Sequence, residues 1–165
     1  MSPVRNIKFT RRTKISNGVR IIIKNLQKKI PINPIRIKKA ALKTLVSDGI
    51  KKSGEITFCF VTDKKIKELN SKYLGKNNPT DVICFDITEK YIDANSLLAD
   101  IVISTDRAIY NAKAFKTAPI YELYLYVVHG LLHLLGYDDK NISQKRKMQD
   151  KAAGILSALN IKPTK

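Results

Sequence analysis

The chain has 165 residues, 44% of them hydrophobic, with 31 Lys+Arg against 14 Asp+Glu and a net charge of +17. That length suits one compact domain with a real core. The absence of a long uncharged apolar run argues against a membrane span, and the N-terminus MSPVRNIKFTRRTK has no apolar core of the kind a secretory signal needs. The two cysteines, Cys59 and Cys84, lie in apolar strand-like runs without CxxC spacing, as buried free thiols of a cytoplasmic protein do.

The elements follow in chain order. Residues 1–16 are basic and without pattern and are expected to form a flexible arm, with one domain over 17–165. Residues 1–52 hold 15 Lys/Arg and a single acid, Asp48. Such a surface attracts polyanions through counterion release, or serves simply as a solubilising excess. Val19–Asn25 is β-branched and reads as a strand. Asn33 as N-cap and Pro34 in the first turn open a helix with Ile37, Ala41, Leu45 and Val46 on its periodic face. Glu55–Val61 is a strand; a helix capped by Thr62 follows, with Ile66, Leu69 and Tyr73 on one face; GKNNPT breaks it; Asp81–Ile87 is a third strand. Residues 88–98 are polar and read as a loop, Asp100–Ser104 as a short fourth strand, and Thr105 as the cap of a helix reaching Phe115. Pro119 then starts a long helix that is apolar almost all round, hence central and buried, and Gly136 ends it. A last helix runs from about Ser143 to Leu159. The order is β-α-β-α-β-β-α-α-α, which predicts an α/β (α+β) sandwich: a small mixed four-stranded sheet with helices packed on it, the central helix carrying the candidate ligands.

The chemistry concentrates in HGLLHLLGYDD, residues 129–139, which holds both histidines of the chain. His129 and His133 are four apart on a helix and share a face, so their imidazoles can chelate one divalent cation. A helix cannot also present a third donor there. It must end and fold back, and Gly136 permits the left-handed turn that brings Asp139 round. The spacing H-x3-H-x2-G-x2-D repeats the ligand ladder of the zinc-protease pattern HExxHxxGxxH, with Gly130 where the protease has its glutamate base, so peptide hydrolysis is disfavoured. An unremarkable helical histidine pair is the alternative; the apolar setting, the glycine stop and the carboxylate in register favour a metal site. Asp138 is a weaker alternative ligand.

Other residues carry two readings each. Thr80 and Asp81 follow Pro79 and either satisfy a turn or line a cleft near the metal with Lys76. Asp100 either hydrogen-bonds the free nitrogen of a ligand histidine or caps a backbone turn. Tyr121, Tyr124 and Tyr126 are expected in the core rather than as base-stacking rings, with Tyr137 the more exposed ring.

At this point the chain resembles the YbeY family of endoribonucleases. HGLLHLLGYDD fits the family's H-G-x-L-H-L-x-G-Y-D-H at all but the last position; LNSKYLGKNNPTDVICF fits L-N-x-x-Y-R-x-K-D-x-P-T-D-V-L-S-F; ADIVIS fits G-D-I-V-I-S. The matches run in the family's order over roughly residues 19–158. The resemblance implies a small α/β sandwich and one metal ion, usually zinc. By position its ligands are His129, His133 and Asp139, with metal-bound water the reactive species and no protein base assigned. It also implies cleavage of single-stranded RNA in rRNA maturation, the 3′ end of 16S rRNA included, and in ribosome quality control. The protein would then be cytoplasmic, a monomer or weak oligomer, with rRNA and the small ribosomal subunit as partners and no membrane. Three departures stand out. Asp139 replaces a histidine, which preserves zinc binding but opens the site to Mn2+ or Fe2+. Leu74 replaces an arginine suited to gripping phosphate, with Lys72 and Lys76 beside it as point charges. Cys84 replaces a serine. These departures leave a second expectation open, a metal-containing, ribosome-associated RNA-binding factor with weak or no nuclease activity.

Overall fold

The computed structural model describes residues 18–88 and 95–164. The expected basic arm, 1–16, lies outside them.

Two stretches of the chain are apolar without alternation, and they become the inner strands. β2 (Ser53–Val61) and β4 (Ser96–Ser104) are buried along almost their whole length, as strands covered on both faces must be. β1 (Val19–Asn25) and β3 (Val82–Asp86) are only partly buried and form the edges. The sheet order is β1-β2-β4-β3. β1, β2 and β4 run parallel, with Ile21 opposite Ile56 and Thr57 opposite Asp100, while β3 is antiparallel to β4, with Val82 opposite Ile103. The mixed four-stranded sheet is therefore as expected.

Five helices complete the fold. α1 (Pro34–Ser47) starts where Asn33 accepts from the Ile35 and Arg36 amides, both at 3.1 Å. α4 (Pro119–Leu134) buries Leu123, Tyr124, Tyr126, Val127, Val128, Leu131 and Leu132, and contacts β3, β4, α1, α3 (Thr105–Phe115) and α5 (Ile142–Ala158). It is the central helix of one face. α2 (Asp63–Leu74) covers the other face, setting Ile66 and Leu69 against Cys59, Val61, Ile83 and Val102.

Three local expectations are corrected. β4 begins at Ser96, not Asp100: the segment read as loop joins β2, with Ser53 opposite Ser96 and Leu97 opposite Gly54. Residues 89–94 of that segment lie outside the described residues. The cap of α3 is Ser104, whose Oγ accepts from the Arg107 amide at 3.2 Å, while the Thr105 hydroxyl donates to the Val61 carbonyl at 3.1 Å. Thr62 occupies the cap position of α2 without a side-chain bond; the Asp63 amide instead donates to Asp106 Oδ2 at 2.8 Å, tying α2 to α3.

Candidate metal centre

α4 lies unusually close to the sheet. A Cβ placed on Gly130 would meet Ile101 Cγ2 at 2.6 Å and Val82 Cγ2 at 3.1 Å. Any side chain at residue 130 would have to displace Ile101 or Val82, so the glutamate that a zinc protease keeps at this point of its motif would be crowded here. The contact also fixes where the neighbouring histidine goes. Val82 opens β3, and the carbonyl just before it, that of Asp81, accepts from the Ser104 amide at 2.8 Å at the carboxyl end of β4. His129 thus stands at the carboxyl edge of the parallel strands, the edge at which open α/β sheets present their sites.

The end of α4 is built as the glycine predicts. Gly136 has φ +91°, its amide donates to the His133 carbonyl at 3.0 Å, and the Tyr137 amide donates to the Leu132 carbonyl at 2.9 Å. This paired closure reverses the chain within two residues of the helix end. Just past this closure the Tyr137 carbonyl faces His133, whose Nδ1 lies 3.2 Å away. A carbonyl only accepts, so Nδ1 bears a hydrogen, and in the neutral ring it is Nε2 that keeps the lone pair.

His129 is in the complementary condition. Its Nε2 is buried, with no hydrogen-bond partner among the described residues. Burial pushes its pKa below the ordinary 6.5; Asp81 opposes that push, His133 adds to it and Asp139 opposes it. The ring is thus neutral at physiological pH, the form that ligates metals. A buried unpartnered nitrogen costs about 1–3 kcal/mol, so its persistence beside a second imidazole of fixed tautomer points to a cation.

The third donor is less assembled. Among the described residues no three His, Cys, Asp or Glu side chains stand gathered as a ready cluster. Asp139 is exposed, on the chain just past the turn, near enough to act on His129 electrostatically. Asp138 is engaged elsewhere: its carboxylate accepts from the Asp139 amide at 2.8 Å and pairs with Lys140 at 2.8 Å. Of the two carboxylates, Asp139 is the one left to bind. Two imidazoles and the Asp139 carboxylate are a donor set suited to a divalent ion.

The remaining residues divide. Asp81 comes to the site; its Oδ1 accepts from the Val82 amide at 2.9 Å and from the Thr80 hydroxyl at 3.1 Å. The turn role is thus met, and Asp81 also stands near enough to His129 to act on it electrostatically. Asp100 is not brought to the histidines. It alternates with Ile101 along β4, and therefore shares the α2 face with Val102, whereas α4 covers the Ile101 face. Lys72, Leu74 and Lys76 are exposed at the end of α2 and the loop after it; the buried Asn70 amide holds that loop by donating to the Asn78 carbonyl at 2.7 Å. Tyr124 and Tyr126 are core residues and Tyr121 is half-buried. Tyr137, expected to be exposed, is half-buried because its hydroxyl donates to Asp48 Oδ1 at 3.1 Å. Cys84 is no nucleophile: burial pushes its thiol up to about 12, with Asp86 and Asp100 adding to it.

The family model for Endoribonuclease YbeY matches residues 22–160. An Endoribonuclease YbeY of Syntrophus aciditrophicus is 40% identical over 73% of this chain and 76% of its own length. One from Alkaliphilus metalliredigens is 31% identical over 87% of this chain and 97% of its own. A Thermotoga maritima protein solved in solution shares the fold, with a TM-score of 0.54 and 24% identity over 86% of this chain and 91% of that one.

Proposed function

The chain belongs to the Endoribonuclease YbeY family, and from that premise we propose that it is a metal-dependent endoribonuclease that cleaves single-stranded RNA in rRNA maturation, the 3′ end of 16S rRNA included. His129 and His133 would hold the ion through their Nε2 atoms and Asp139 through its carboxylate. Zinc is the reading the two imidazoles favour, and the carboxylate widens the choice toward Mn2+ or Fe2+. A bound divalent ion supplies the Lewis acidity that phosphodiester hydrolysis needs.

The chain's own residues do the rest. Tyr137 holds the proton on His133 Nδ1 and so keeps the opposite nitrogen free. Asp81 puts a negative charge beside His129. Gly130 offers no base, and Leu74, half exposed, offers no charge to a phosphate. Lys72 and Lys76, with the lysines of the N-terminal third, are the groups left to attract the RNA backbone. Thr80 contributes by fixing the Asp81 carboxylate. On this reading the protein works in the cytoplasm with the small ribosomal subunit, as a monomer or weak oligomer. Among the described residues no helix is long and apolar enough to cross a membrane.

The observation that carries this reading is the buried, unpartnered His129 Nε2 beside a second imidazole of fixed tautomer. The test compares cleavage of single-stranded rRNA by the wild type, by His129→Ala and by chelator-treated protein. Activity confined to the untreated wild type is expected, and equal activity in all three would sink the proposal.

A further inference from the structure

Asp48 is the only acid in residues 1–52, among 15 Lys/Arg. The mechanism above does not use it, yet it is not spent on the basic surface around it. It forms the C-terminal cap of α1, and its side chain is only 12% exposed. Its Oδ1 accepts from the Tyr137 hydroxyl at 3.1 Å, across 89 positions of sequence, and also from Lys151 Nζ of α5. Lys151 lies over the Tyr137 ring at 5.0 Å, and Lys147 at 5.9 Å. The ring just past the end of α4 is thereby clamped from α1 and α5 together.

That ring belongs to the residue whose backbone carbonyl faces His133 Nδ1. Gly136, immediately before it, has a backbone of wide freedom and φ +91°. The helix-end hydrogen bonds alone do not fix the direction of the Tyr137 carbonyl; the anchored ring adds the missing constraint. We infer that Asp48, with Lys151, is a positioning residue: through the Tyr137 hydroxyl it aims the Tyr137 carbonyl at His133 Nδ1, and so selects the tautomer that presents Nε2 to the metal. The inference rests on His133 being a ligand, but its first readout needs no metal.

The experiment uses the full chain with metal removed. Long-range 1H–15N spectra of the two histidines report which ring nitrogen of His133 carries the proton. The wild type is expected to show the Nδ1–H form alone. Tyr137→Phe, which deletes one hydroxyl and keeps the ring, should give a mixture of the two forms, and so should Asp48→Ala. Asp48→Asn, which keeps an acceptor for the hydroxyl, should restore the Nδ1–H form. Zn2+ competition against a chromogenic chelator should then show about tenfold weaker binding in Tyr137→Phe and Asp48→Ala, the loss expected when a ligand histidine loses its orientation. An unchanged His133 tautomer in both variants, whatever happens to their melting temperatures, would overturn the inference. Wild type that shows the Nδ1–H form but binds no Zn2+ would refute the metal reading above while leaving the clamp intact.

Discussion

Gly130→Ala tests whether the closeness of α4 to the sheet determines the site. Replacing an interior helix glycine with alanine should by itself stabilise the protein by about 1 kcal/mol. Here the new methyl would sit 2.6 Å from Ile101 Cγ2 and 3.1 Å from Val82 Cγ2. Ile101 is fully buried in a central strand, so relief requires either a strained rotamer or a helix pushed off the sheet. Overpacking of this kind costs about 1–3 kcal/mol. The larger end applies because the shorter contact is far below any normal separation, and a net loss of about 1–2 kcal/mol is expected after the helix gain. The assay is urea unfolding in chelator, followed by far-UV circular dichroism, so that metal linkage does not enter. The same substitution in an Ile101→Ala background should change sign and stabilise by up to about 1 kcal/mol, because the shorter contact is gone and Val82 Cγ2, at 3.1 Å, need give way only slightly. Additivity of the two substitutions within about 0.5 kcal/mol would refute the packing argument.

The other predictions concern ligation, charge and reactivity. Asp139→Ala should lower metal stoichiometry in elemental analysis, and Asp139→His should restore it with zinc favoured over manganese; full occupancy in Asp139→Ala would show that the third donor lies elsewhere. Leu74→Arg, at a half-exposed position ending α2, should leave the melting temperature unchanged and raise RNA turnover; equal turnover would mean that no phosphate passes there. At pH 8 neither cysteine should react with iodoacetamide in the native protein, since burial raises Cys59 to about 11 and Cys84 to about 12; rapid labelling without unfolding would contradict their placement. Burial raises the Asp106 pKa, but the hydrogen bond from Lys29, the Asp63 amide and the charges of Lys29 and Arg107 outweigh it, leaving the carboxyl below its ordinary 3.8. A depressed carboxyl contributes stability that is complete above the unfolded value and lost as pH falls through the folded one. Lys29→Met should therefore destabilise the protein at pH 6 and make less difference at pH 3; a loss that does not vary with pH would reject the pairing.

What was legible in the sequence was whatever rests on apolar periodicity and on spacing within one segment. The inner strands, the central helix and the glycine turn after His133 are written in contiguous residues. The rest depends on partners far along the chain. The first residues of β4, Ser96–Ala99, follow a polar stretch and are cut off from the Ile-Val run by Asp100, and their pairing with β2 across more than forty positions makes them strand. Asp100 looked available to a histidine because a lone strand does not say which of its faces the metal helix will cover. Tyr137 looked exposed because its partner, Asp48, is 89 residues away. For that pair one signal was present, a solitary acid in a strongly basic stretch, and no local rule interprets it.

The orphaned nitrogen of His129 has a consequence for the life of the protein in the cell. A buried polar atom without a partner lowers the stability of the empty protein, while a ligand held at 100 times its dissociation constant raises it by about 2.7 kcal/mol. The population open to proteases would then follow metal supply, falling about a hundredfold when the site fills. Starvation for the ion would reduce the amount of this protein as well as its activity, and its steady-state level would record the cell's metal economy.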